Sequence, residues 1–238
     1  MFARNRETAA HRVTAGPVSA KLVEGIPLSA ARLAAGRRLQ HSKQTIPHFY
    51  LQTSANAGAM IARREAAPEK LVWEAFFVHA ASRVLPQFEQ LAHRLENGSL
   101  RPANTSAIGV AADIEGDLFV IPVEAPAQKT IEEISGEIRA AAAALRRNEP
   151  GSRKSQPGCL TITNLGGANV ETFAAIINPP EAAILAIGKV RPVVVPRGET
   201  SFAVEQRVNL TLSVDHRIVS GKYAADFLGA VVAEIEQL

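Results

Sequence analysis

Cysteine is almost absent from this chain: Cys159 is the only one in 238 residues. That excludes an internal disulfide, and no metal-ligand spacing surrounds the thiol. Cys159 is expected to be a small buried hydrophobe in a protein of a reducing compartment, with no metal. Long apolar runs are missing too. No stretch approaches the ~20 apolar residues that a membrane-spanning helix requires, and the opening MFARNRETAAHRV lacks the apolar segment of a secretory signal. A soluble, cytoplasmic protein is expected. The mitochondrial matrix is the alternative, because the opening is rich in Arg and Ala, although Glu7 weakens its likeness to a transit peptide. Aromatic residues make up 5% of the chain and the formal net charge is only +3. The basic residues are dispersed and not interleaved with aromatics, so neither nucleic acid nor membrane is expected as a partner. Anionic small molecules suit such a chain better.

With 47% hydrophobic and 21% charged residues, the chain can bury one continuous core as a single large α/β domain. Residues 1–26 are polar and read as a flexible arm or linker, and residues 27–238 as the folded domain. Ser29 can cap a helix that carries Leu33, Arg37, Arg38 and Leu39 and ends at Ile46-Pro47. A strand is expected over 48–54 and a short helix over 57–65. A stronger helix from about Glu69 would pack Leu71, Ala75, Val78, Ser82 and Leu85 on one face. Residues 106–113 and 117–123 read as a hairpin around Glu115-Gly116. Thr130 and Glu133 form a capping box for a helix that stops near Asn148 to Gly151. Strands follow at 159–164, 183–189, 193–196 and 202–214, then a helix over 222–236. This mixture favours a two-layer α/β sandwich, a mixed sheet with helices packed on it.

The segment Asp215 to Gly221 puts an imidazole, His216, where a β-rich stretch gives way to a helix, between Asp215 and Arg217. Loops at strand ends are where catalytic groups are commonly displayed, though a lone histidine is more often structural. A second segment, Leu160 to Gly167, runs a strand into a double glycine. There a backbone and a ligand can approach closely, and Thr163 offers a hydroxyl. Taken by itself, Thr163 reads as a β-branched strand residue and Asn178-Pro179-Pro180 as a rigid turn.

Together these segments resemble the dihydrolipoyl acyltransferases of the 2-oxoacid dehydrogenase complexes, and the likeness runs from about Pro27 to the C-terminus. It is carried by Arg32 to Gln44, Thr45 to Leu51, Gly109 with Asp117 to Val123, Thr161 to Gly166, Ala175 to Gly188 and Asp215 to Arg217, in the family's order. The resemblance implies a chloramphenicol acetyltransferase-like fold working as a trimer, with the active site between subunits. His216 would be the general base that deprotonates a thiol of coenzyme A or dihydrolipoamide. Thr163, where the family usually carries serine, would donate to the oxyanion. Asp215, Arg217, Ser220, Gly221 and Arg38 would support the catalytic loop. His48, Asn164, Gly166 and Gly167 would border the substrate. Coenzyme A is then a substrate, and the expected partners are a lipoylated carrier domain and other subunits of such a complex. The stretch from Phe173 to Pro180 most resembles members of the pyruvate complex, so acetyl is the expected acyl group.

Three departures qualify the likeness. The family motif has an aspartate four residues after the histidine, thought to pair with an arginine of the first helix. Here Ser220 stands there, and Arg38 or Arg32 would need another partner. No lipoyl or peripheral-subunit-binding segment precedes Pro27, so the lipoyl group is expected in trans, or the chain is a core cut from a longer protein. The end at Leu238 lacks the apolar tail with which cage-building members finish, so a homotrimer is expected and a larger cage is left open. Two other readings stand beside the enzyme: a non-catalytic core subunit, and a free-standing acyltransferase that uses another carrier.

Overall fold

The computed structural model describes residues 25, 27–153 and 157–238, so apart from Gly25 the arm assigned to 1–26 lies outside the described residues. Helix α1 spans Ala30–Thr45 and starts at Ser29, whose hydroxyl accepts the Arg32 N–H at 3.1 Å. It ends as the chain extends at Ile46, before Pro47. Strand β1 (His48–Asn56) and helix α2 (Gly58–Ala66) follow. Helix α3 occupies Trp73–Val84, starting later than the apolar spacing predicts because Val72 is extended and no side chain caps the helix. The predicted face is nonetheless buried, Leu71 and Leu85 included.

Next comes a hairpin that the sequence reading passed over, β2 (His93–Glu96) and β3 (Ser99–Pro102). Its turn is Asn97-Gly98, both at positive φ. The expected hairpin is present as β4 (Ile108–Ile114) and β5 (Asp117–Val123), with Glu115 and Gly116 at positive φ. That conformation matches the right-handed twist of the two strands. Helix α4 (Ile131–Arg146) opens on the Thr130–Glu133 capping box. Strands β6 (Leu160–Asn164), β7 (Ala183–Ile187), β8 (Arg191–Arg197) and β9 (Ser201–Asp215) lead to helix α5 (Gly221–Glu236).

One mixed sheet orders the strands β1-β9-β7-β6-β4-β5, with β8 on the first half of β9. The pairs β6–β7 and β4–β6 are parallel and the rest antiparallel. Alternation along the strands sends Leu160 and Ile162 of β6, and Leu210, Leu212 and Val214 of β9, into the main core beneath the helices. There α3 packs against both α4 and α5. Phe76, Phe77 and Phe227 are almost fully buried, each contributing about 1.5–3 kcal/mol relative to exposure. This is the two-layer α/β sandwich that the sequence predicts. Among the described residues no helix is long and apolar enough to cross a membrane.

The opposite face of the sheet is more polar. The connection from β6 to β7 crosses it: Ser213 Oγ donates to the Ala175 carbonyl at 2.8 Å and Ser42 Oγ of α1 to that of Ile177 at 2.7 Å. A small apolar cluster of Ile46, Ile177 and Ile184 lies on that side.

Candidate functional site

His216 is the first residue beyond β9, and the ladder between β1 and β9 fixes it there. The last pair in register is His48 with Asp215, and the His216 N–H then donates to the Pro47 carbonyl at 3.1 Å. The imidazole is exposed. Its ring meets Phe49 edge-on, with centroids 5.1 Å apart and an interplanar angle of 85°. Apart from that contact, neither ring nitrogen is hydrogen-bonded to a described residue, so a nitrogen is available to take a proton.

Asp215 is turned away from this imidazole. It lies 2% exposed on the opposite face of β9 from the main core, and its carboxylate is gripped by its near neighbour Arg217. Nε donates to Oδ1 at 2.9 Å and Nη2 to Oδ2 at 2.6 Å, while the Arg217 N–H also reaches Oδ1 at 3.0 Å. Such a forked pair offsets the desolvation of the buried carboxylate and stiffens the turn that displays His216. Asp215 and Arg217 therefore support the loop through each other.

Ser220 has a structural task of its own as the N-cap of α5, its hydroxyl accepting the Tyr223 N–H at 3.4 Å. It stands four residues after His216, so the cap fixes where the loop ends. Gly221 is closely packed: a Cβ there would stand 3.1 Å from Phe49 Cε1, so the ring would have to shift by a few tenths of an ångström. With Ser220 in place of the family's acid, Arg38 lacks that partner and no described residue replaces it. Arg38 lies exposed on α1 and is neither hydrogen-bonded nor ion-paired to a described residue. The reason is local, since Arg217 satisfies the charge of Asp215 and Ser220 is turned to the helix backbone.

His48 is absorbed by the fold. Its Nδ1 lies 2.9 Å from the Ile46 carbonyl and its Nε2 accepts the Ile177 N–H at 3.1 Å, an arrangement that fits a neutral ring protonated on Nδ1. Desolvation chiefly, and the charge of Lys43 nearby, push its pKa below the ordinary value. With both nitrogens committed, the ring has no polar capacity left for a substrate.

Thr163 lies in the middle of the sheet on the face away from the helices, half-buried, with its hydroxyl hydrogen-bonded to no described residue. Asn164 points the other way. Its Nδ2 donates to Glu74 on α3 at 2.9 Å and its Oδ1 accepts the Gly166 N–H at 2.8 Å, so its amide braces the end of β6. Gly166 serves close approach of chain to chain, because a Cβ there would stand 2.6 Å from the Gly188 carbonyl oxygen. Gly167, by contrast, faces open space.

Within one chain the two reactive candidates are far apart. Thr163 is in register with Ala186, which pairs with Thr211 of β9, five positions before His216 and two strands away. At about 3.3 Å per residue and 4.8 Å per strand, the separation is roughly 15–20 Å. Cys159 takes no part, since its Sγ donates to the Ala107 carbonyl at 3.2 Å and burial pushes its pKa up to about 11. It is the inert buried residue that the sequence predicts. Sequence reasoning missed Phe49 as the residue against His216; it is the second residue of β1 and pairs with Val214, one register step from the His48–Asp215 pair.

Residues 20–238 match the family of 2-oxoacid dehydrogenase acyltransferases, catalytic domain. Component 3 of the mitochondrial pyruvate dehydrogenase complex of Arabidopsis thaliana, a dihydrolipoyllysine-residue acetyltransferase, is 32% identical over 89% of this chain and 41% of its own length. The lipoamide acyltransferase of the branched-chain α-keto acid dehydrogenase complex of Bacillus subtilis is 31% identical over 94% of this chain and 55% of its own. The chain thus spans about half the length of the curated relatives it matches. Among solved structures, the dihydrolipoamide acetyltransferase of Azotobacter vinelandii superposes with a TM-score of 0.84 at 26% identity, covering 90% of this chain and 91% of that one. That enzyme was studied for the role of a serine, a histidine and an asparagine in its catalytic mechanism. With a family match across nearly the whole folded domain, this chain belongs to the catalytic domains of the 2-oxoacid dehydrogenase acyltransferases.

Proposed function

We propose that this chain moves an acyl group, acetyl by preference, between the thiols of dihydrolipoamide and coenzyme A, at a site completed by a second copy of the chain in a trimer. The observation that carries the reading is the separation of His216 from Thr163. Both display uncommitted polar atoms, yet they stand roughly 15–20 Å apart in one chain, so they can serve one reaction only across a subunit boundary.

In this reading the neutral imidazole of His216 takes the proton of the incoming thiol. The thiolate attacks the thioester carbonyl, and the tetrahedral oxyanion receives a hydrogen bond from the Thr163 hydroxyl of the neighbouring copy. Collapse expels the second thiol as thiolate, which recovers the proton from the imidazolium. One S–C bond forms and one breaks, with no net change in charge. The lipoyl group arrives on a carrier domain in trans, and other complex subunits are the natural partners.

The order of the residues studied in the Azotobacter enzyme supports these assignments, with 52 positions from serine to histidine against 53 from Thr163 to His216 here. Its serine, histidine and asparagine follow one another as Thr163, His216 and Ser220 do here, with four positions from the histidine to the last. An uncharged asparagine at that position makes the loss of the family's aspartate less consequential, since Ser220 is also polar and uncharged. The preference for acetyl rests on the segment from Phe173 to Pro180. The branched-chain relative is almost as similar as the pyruvate-complex one, and one methylene shifts discrimination by only ~1–3 kcal/mol.

Transfer from acetyl-coenzyme A to free dihydrolipoamide, measured beside His216→Ala and with the assembly mass determined in the same buffer, tests the proposal. Activity in a trimer that vanishes with His216 is expected. An intact trimer without activity would favour the non-catalytic core subunit, a reading suggested by Ser220 standing where the family carries aspartate.

A further inference from the structure

Behind the strand that carries Thr163, on the helical side of the sheet, a cavity of about 740 Å³ opens between the end of α2, the start of α3 and the loops after β6 and β7. Its wall holds four cations, Arg64, Lys70, Arg139 and Lys189, against one carboxylate, Glu74. Arg139 is paired with Glu69 outside the cavity, and Glu74 accepts from Asn164. The other three have no carboxylate partner among the described residues. Arg64 donates to the Leu71 carbonyl and lies over the Trp73 ring, 4.8 Å from its centroid. Lys189 donates to the side-chain oxygen of Asn169, and Lys70 is exposed at the rim.

Like charges gathered on a concave wall raise the local positive potential and repel one another unless an anion sits among them. The start of α3 opens here too, with no side-chain cap on its first turn, although the Ala75 N–H is bonded to the Val72 carbonyl and Glu74 belongs to the same turn. A cavity of this size suits a small organic ligand. An arginine fork beside two lysine point charges suits phosphate oxygens better than a single carboxylate.

We propose that this cavity is a second ligand site, for a phosphate-bearing anion between pyrophosphate and a nucleoside diphosphate in size. It is distinct from the thiol-transfer site and stands whether or not that reading holds. Thr163 faces the other side of β6; of the residues expected at the thiol-transfer site, Asn164, Gly166 and Gly167 line this cavity and Thr163 and His216 do not.

Trp73 is the sole tryptophan of the chain and lines this cavity, so its fluorescence reports on this place alone. The full chain would be titrated with sodium pyrophosphate and with ADP, against sodium chloride at matched ionic strength. A saturable change with pyrophosphate is expected, weakened at least about tenfold in the Lys70→Ala/Lys189→Ala double variant, a loss of about 1.4 kcal/mol. Both lysines are exposed, and an unchanged circular dichroism spectrum would show that the variant folds. Tighter binding of ADP than of pyrophosphate would mark a nucleotide as the source of the phosphates, and equal binding a free phosphate compound. No saturable response below about 10 mM, a response that sodium chloride reproduces, or one that survives the double substitution would each overturn the proposal.

Discussion

The ring of Phe49 is held between His216, which it meets edge-on at 5.1 Å, and Gly221, whose missing Cβ leaves it room. One aromatic side chain thus ties the exposed imidazole to the first turn of α5. Removing it frees the imidazole without touching its chemistry. Phe49→Ala should lower kcat for thiol transfer by about tenfold, a loss of some 1.4 kcal/mol, with KM little changed. Gly221→Ala should act in the same direction by pressing on the ring, since a Cβ at 3.1 Å is tighter than ordinary packing. The two losses should not add in the double variant, because the alanine at 49 removes what the new methyl strikes. Steady-state kinetics of the three proteins would decide this, and additive losses would show that the ring does not link the two positions.

Thr163 should act through its hydroxyl alone. Thr163→Ser keeps the donor and should retain most of the activity. Thr163→Ala should reduce kcat on the order of a hundredfold, about 3 kcal/mol, with a small change in KM. A Thr163→Ala enzyme with normal kcat would remove the residue from the reaction.

Ser220 separates capping from charge. Ser220→Ala removes the N-cap of α5 and should cost about 1 kcal/mol of stability. Ser220→Asp keeps a capping oxygen and adds a negative charge at a helix N-terminus, so it should be at least as stable as the parent. Thermal unfolding of both, with transfer rates, tells whether this loop lacks support. A large gain in rate with the aspartate would show that it does.

Glu181 makes stability depend on pH. It is 2% exposed, and burial raises its pKa to about 7 despite donors from Thr161, Asn178 and Gly158. A carboxyl with a raised folded-state pKa holds its proton in the folded protein after the unfolded chain has lost it. Its contribution is present below the unfolded value of 4.5 and is lost as pH rises through about 7. Glu181→Gln keeps a side chain of the same shape that cannot ionise, so it should be more stable than the parent at pH 8, by up to about 3 kcal/mol. The gap should close toward pH 5. Urea unfolding at both pH values and one protein concentration checks this; a gap of equal size at the two would point to another cause.

Much of the fold was legible because its boundaries are written in short-range chemistry. Ser29, the Thr130–Glu133 pair and Glu115-Gly116 each fix a local backbone state that distant residues do not alter. The hairpin at Asn97-Gly98 carried the same kind of signal and was overlooked among longer elements. The late start of α3 was not legible, because the Leu71 and Val72 side chains fit an extended approach as well as a helical turn. At the candidate site, the motif singled out His216 and Thr163, whose side-chain polar atoms bond to no described residue. Strand alternation already separates Thr163 from Asn164, but the partners that each side chain finds were not readable. His48 looked available until Ile46 and Ile177 were found on its two nitrogens. Arg217 is held on the buried Asp215 two residues away, while Arg38 has no described partner in place of the family's aspartate.

The claim on which the rest depends is that His216 of one copy works with Thr163 of another. His216→Ala and Thr163→Ala chains, each nearly inactive alone, would be dissociated, mixed in equal amounts and reassembled, and transfer from acetyl-coenzyme A to dihydrolipoamide measured. Random mixing in a closed ring restores both residues at about one quarter of the interfaces, so the mixture should recover about a quarter of the parent activity. A mixture no more active than its components, though shown by mass to contain both chains in one trimer, would contradict the shared site.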